Sequence, residues 1–139
     1  MTQNDSKMRR FHESLWVATG GSLGSLARHA MDVLQFPVSI ENFRIQYVTF
    51  VINLIGAFIL GLVLAWAAQK EAARKWARLF VGIGFCGSFT TFSSITLGVV
   101  FLQKSGALAE AVLYVSATIV AGLAAAFAGG KMITWIAHD

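Results

Sequence analysis

The chain has 139 residues, 56% of them hydrophobic and only 13% charged, with a formal net charge of +4. Its pI is about 9.6 and its mean hydropathy is +0.65. A soluble domain carries about 25% charged residues, so roughly half the usual charge is missing. What charge remains sits in short stretches flanking apolar runs, which fits a membrane protein and excludes a basic nucleic-acid-binding domain. The lone cysteine, Cys86, rules out an intrachain disulfide.

In chain order, Lys7, Arg9 and Arg10 precede an apolar run that begins at Leu15. This superficially resembles a secretory signal. Arg28 and His29 follow without a small-residue cleavage site, so the run reads as a retained helix. The first span covers about residues 14–34 and ends before Phe36-Pro37, where proline restricts helical geometry. The second covers about 47–68 and the third about 79–102, neither containing Lys, Arg, Asp or Glu. Both exceed the roughly 20 apolar residues needed to cross the hydrocarbon layer. The fourth covers about 108–129, with room to extend to Ile136. The expectation is an all-α integral membrane protein, one four-helix transmembrane domain over residues 1–139. Small residues recur at packing spacing: Gly20 and Gly24 in the first span, and Thr118, Gly122, Ala126 and Gly130 in the fourth.

Charge also orients the chain. Lys7, Arg9, Arg10, Lys70, Arg74, Lys75, Arg78 and Lys131 share one side, while Arg44 and Lys104 lie on the other. The positive-inside rule places the termini in the cytoplasm.

Chemistry concentrates in the third span, Gly82-Ile83-Gly84-Phe85-Cys86-Gly87-Ser88-Phe89-Thr90-Thr91-Phe92-Ser93-Ser94. Each glycine costs a helix about 1 kcal/mol relative to alanine, and hydroxyl side chains offer the backbone competing bonds. Either the hydroxyls bond back within an unbroken helix, or the helix breaks at mid-membrane. Irregular backbone at that depth must be buried in protein or line a polar cavity. Asn53, with Thr49 one turn earlier, is a structural amide or a pore group; Tyr114 and Thr118 share a face of the fourth span with the same two readings. Arg28 either snorkels to the interface or adds positive potential. No carboxylate lies near mid-membrane, because Glu13 and Glu110 fall at span ends. Proton-coupled exporters need such a carboxylate. Donors without carboxylates suit a small anion.

These residues resemble the Fluc/CrcB family of fluoride channels. The resemblance lies in Gly20-Gly21-Ser22-Leu23-Gly24-Ser25-Leu26-Ala27-Arg28, in Thr49-Phe50-Val51-Ile52-Asn53-Leu54-Ile55-Gly56, and most specifically in Gly84 to Ser93. It implies a fluoride-selective channel, not an enzyme, in the inner cell membrane among lipid. The channel would export fluoride passively as an antiparallel, dual-topology dimer with a break in each third helix. The implied fluoride pathway comprises Asn53, Phe92, Ser93, Ser94, Thr49, Tyr114 and Thr118, and the carbonyls of Gly87 and Thr90 from both subunits would hold a structural sodium ion. Two positions depart from the family pattern: Ile95 where a second phenylalanine is usual, and Val48 where glycine is usual. Ile95 and the charge bias together raise a heterodimer with a homologue beside the homodimer. The rival readings are a small multidrug or cation exporter and a non-conducting partner subunit.

Overall fold

The computed structural model describes residues 3–35 and 43–136. The predicted stop at Phe36-Pro37 lies outside the described residues. Within them the chain is helical apart from short turns. The helices are α1 (Gln3–Gln35), α2 (Phe43–Ala68), α3 (Glu71–Ala77), a π-helical stretch (Arg78–Cys86), α4 (Gly87–Phe89), α5 (Ser93–Lys104) and α6 (Leu108–Ile136).

Three helical stretches are long and apolar enough to cross a membrane: Gln46–Ala68, Arg74–Lys104 and Leu108–Ile136. The expected first span is not among them. Its helix is long enough, since the 33 residues of α1 reach about 50 Å. Its composition falls short, however, because serines, glycines, Arg28, His29 and Asp32 dilute the apolar residues of 14–34.

Packing follows the small residues. α1 lies along the π-helical stretch and α4, while α6 lies along α2. A Cβ on Gly20 would overlap the Phe80 carbonyl oxygen, and one on Gly24 the Phe85 carbonyl, so the backbones touch directly. Across α2 and α6, a Cβ on Gly61 would strike the Ala126 carbonyl and one on Gly129 the Phe58 carbonyl. Here the expected row is displaced: the close approach runs through Ala126 and Gly129, whereas Gly122 has nothing within 4 Å. Lipid supplies no hydrophobic drive between helices, so this close backbone contact is what holds the pair together. Gly61→Val is therefore expected to destabilise the fold by about 1–3 kcal/mol or more. A lower midpoint of thermal aggregation in detergent would register that loss.

The third span is one helix in outline but three windings in detail. Gly82 and Gly84 lie within the nine residues that wind with i→i+5 bonds. Such winding is rare and mostly confined to single turns. Gly84 is also a contact point with α1, its missing Cβ leaving room for the Val17 carbonyl. Below Phe89 the helix breaks and the chain changes neighbours. The π-helical stretch and α4 lie on α1 and α2, whereas α5 lies on α6 and α2. The break thus sits against α2, the helix common to both halves.

The end that carries the basic residues is fastened separately. Lys75 Nζ meets Glu13 Oε1 at 2.6 Å, with Arg9 at 3.7 Å. The hydrogen bond from Lys75 holds the Glu13 carboxyl below its usual value. Arg74 stacks over the Trp66 ring at 4.1 Å and donates to the Trp66 carbonyl at 2.7 Å. It thereby satisfies one of the carbonyls that the end of α2 leaves unpaired.

A clasped helix break lines a candidate ion pathway

The expected break is present, at residues 90–92. Thr90 turns to an extended conformation, φ −75° and ψ 157°, which ends α4. Phe92 returns to helical angles, φ −89° and ψ −30°, ahead of α5. The glycines do not themselves break the helix. Gly82 and Gly84 lie in the π-helical stretch and Gly87 opens α4, all ahead of the break.

Asn53 clasps the break from α2. Its Oδ1 accepts the Thr91 N–H at 2.8 Å, and its Nδ2 donates to the Thr91 carbonyl at 3.0 Å. One side-chain amide therefore satisfies both backbone groups of a residue that is only 9% exposed. An unpaired buried group of this kind costs about 1–3 kcal/mol. The Thr91 hydroxyl completes the arrangement. It accepts the Ser94 N–H at 3.3 Å, in the manner of a helix N-cap. It also lies 3.0 Å from Ser93 Oγ and 3.3 Å from Ser94 Oγ. Thr91 was missed as a site residue. Its signal was available: a threonine three residues before Ser94, at the start of a helix, has N-cap spacing.

These bonds divert two donors from the helical ladder. In an α-helix each carbonyl accepts from the N–H four residues on. Thr91 N–H, due to Gly87, goes to Asn53. Ser94 N–H, due to Thr90, goes to the Thr91 hydroxyl. The carbonyls of Gly87 and Thr90 thus lose their helical partners. Carbonyl oxygens are hard ligands of the kind that suit a hard cation, so these two oxygens are of a type that fits sodium. Among the described residues no group of three or more His, Cys, Asp or Glu competes as a metal site.

The break opens into a groove of about 720 Å³ between α2, the third span and α6, lined by Asn53, Thr90, Phe92, Ile95, Thr118 and Leu123 among others. Of the other site residues named from the sequence, Thr118 lines it, whereas Thr49, Ser93, Ser94 and Tyr114 do not. Thr49 and Thr118 are buried, and Thr118 donates its hydroxyl to the Tyr114 carbonyl at 2.7 Å. Tyr114 sits beside Thr49 but its hydroxyl finds no partner at hydrogen-bond geometry. Ser93 is exposed and Ser94 half-buried. Phe92 is 73% exposed and projects from the chain instead of packing within it. Arg28, half-buried on α1, does not line the groove.

Residues 15–130 match the family model described as CrcB-like protein, Camphor Resistance (CrcB). The chain belongs to the CrcB-like family. Among CrcB-like relatives, a protein of Idiomarina loihiensis named fluoride-specific ion channel FluC is 39% identical over 112 residues, covering 81% of this chain and 84% of the relative. Proteins of the same name from a Caulobacter species and Agrobacterium fabrum are 38% and 39% identical over 117 and 113 residues, covering 83% and 81% of this chain and 89% of each relative. A CrcB-like chain with three apolar spanning helices is a multi-pass membrane protein, and these relatives are named as channels, not as exporters or enzymes.

Proposed function

We propose that this protein is a fluoride-selective channel that exports fluoride passively across the inner cell membrane. The observation that carries the reading is the clasped break. It borders a mostly apolar, carboxylate-free groove at Asn53 and Thr91, in a family whose relatives are named for fluoride conduction. Fluoride is small and strongly hydrated, so it leaves water only where fixed donors replace its shell. Neutral HF enters cells from acidic surroundings and dissociates inside, trapping the anion. The membrane potential then drives fluoride outward with no coupled reaction.

The working unit is an antiparallel dimer. Two features of the chain support that assembly: the exposed Phe92 ring, and the apolar groove with open space at Gly122, which a second copy would fill. The ring edge of Phe92 carries the positive part of the aromatic quadrupole and would face the anion. Ser93, Ser94, Thr49, Tyr114 and Thr118 would continue the route. Sodium would be held by the Gly87 and Thr90 carbonyls of both copies and would supply fixed positive charge at the centre. Arg28 would act on the field from outside the groove.

Pairing with an oppositely inserted homologue is the second reading. It is favoured by the strong charge bias between the two sides and by Ile95, which is buried and lacks a ring edge. The purified chain reconstituted alone in liposomes decides between them. Rapid, selective fluoride efflux is the expected result. No dimer and no efflux from the chain alone, with efflux restored by a partner homologue, would transfer the function to the heterodimer. Silence in both cases would end the channel reading.

A further inference from the structure

Near the start of α2, two side-chain atoms are buried without partners: Gln46 Oε1 and the Tyr114 hydroxyl. Gln46 is only 6% exposed. Its one bond, from Nε2 to the Gly98 carbonyl, spans 3.5 Å, the outer limit for such an interaction. A polar amide buried on such terms costs stability that leucine would not. Packing alone therefore does not account for it.

The surroundings are tightly packed. Gly98 of α5 faces both side chains. A Cβ there would press to 3.1 Å from Gln46 Cγ and 3.2 Å from Tyr114 Cε1, so both side chains close on the same glycine. Thr49 lies alongside Tyr114. Gln46, Thr49 and Asn53 are spaced three and four residues apart and share one face of α2. Gln46 is the outermost of the three, about 10 Å along the helix axis from Asn53, at the first residue of the apolar stretch.

We infer that Gln46, with the Tyr114 and Thr49 hydroxyls, forms an anion-binding station at the outer end of the pathway, where fluoride exchanges water for protein donors. The inference rests on the channel reading above and names a residue that reading did not use. The Tyr114 hydroxyl has no partner at hydrogen-bond geometry, with Thr49 alongside it, and Nε2 carries a second N–H beyond the one directed at Gly98. Turning the amide over to present Nε2 fully gives up only the 3.5 Å contact. The opposite end of the amide accepts from a water that still accompanies the ion. The groups placed together here, the Gln46 amide, the Gly98 carbonyl and the Thr49 and Tyr114 hydroxyls, are neutral, so the station binds by hydrogen bonds.

Fluoride efflux from liposomes tests this with wild type, Gln46→Leu and Gln46→Glu, each first shown to elute as the same assembly. Gln46→Leu keeps the bulk and removes the donors, and efflux is expected to slow at least tenfold. Gln46→Glu introduces a group whose ionised form repels the anion and whose neutral form donates. Its efflux is expected to rise as pH falls across about pH 9 to 7, the range into which burial raises a carboxyl, while wild type stays level. Wild-type rates in Gln46→Leu would overturn the inference. So would a Gln46→Glu protein slowed equally at every pH, since that marks a packing defect. If Gln46→Leu does not assemble, the pH profile of Gln46→Glu decides alone. A wild type silent both alone and with a partner homologue would instead overturn the channel reading itself.

Discussion

Asn53→Ala is expected to lose both fluoride efflux and part of the fold. The substitution strands the Thr91 N–H and carbonyl, each now paired at 3.0 Å or less, at about 1–3 kcal/mol for each group. With the clasp gone, only the Thr91 hydroxyl's bonds within the break remain, and efflux is expected to fall by about 100-fold, equivalent to about 2.7 kcal/mol of barrier. Asn53→Asp separates the two effects. Its carboxylate still accepts from the Thr91 N–H, so stability is partly restored. It cannot donate to the Thr91 carbonyl and it adds negative charge beside the route, so efflux stays low. Thermal stability in detergent and efflux from liposomes, measured on the same preparations, give the pair of readouts. A conducting Asn53→Ala protein would remove the clasp from the mechanism.

Phe92→Ala is expected to show the opposite pattern. Its ring is 73% exposed, so little packing within the chain is lost and stability is expected to change by no more than about 0.5–1 kcal/mol. Efflux is expected to fall at least tenfold if, as proposed, the ring edge is the group that faces the anion. Phe92→Leu sharpens the point, since leucine fills similar volume without a polarised edge. It is expected to conduct no better than alanine. Full conduction by Phe92→Leu in a dimeric protein would assign Phe92 a packing role between subunits.

What could be read in advance depended on how local the cause was. Gly82 to Ser94 announced a weak helix, because glycine and hydroxyl residues act on their own turn. The place of the break was set from elsewhere, by an amide 38 residues earlier that reaches Thr91. The π winding was equally illegible, since it accompanies the close approach of Gly84 to Val17 in α1. The second and fourth spans stood out from hydropathy alone. The first has the length to cross, but its serines, glycines and charges keep it from standing out by hydropathy as the other three do. The fourth-span row of small residues was recognised but displaced, as one-dimensional spacing does not say which side of a helix meets its neighbour. Gln46 escaped notice for a similar reason. Only the shared face with Thr49 and Asn53, and the glycine opposite, turn a single amide into part of a site.

The two bonds between Asn53 and Thr91 join protein atoms to protein atoms, and no ion takes part in either. The bend in the chain is therefore in place before anything arrives to travel past it. On the proposed reading, a passing ion has no shape left to induce at Thr91.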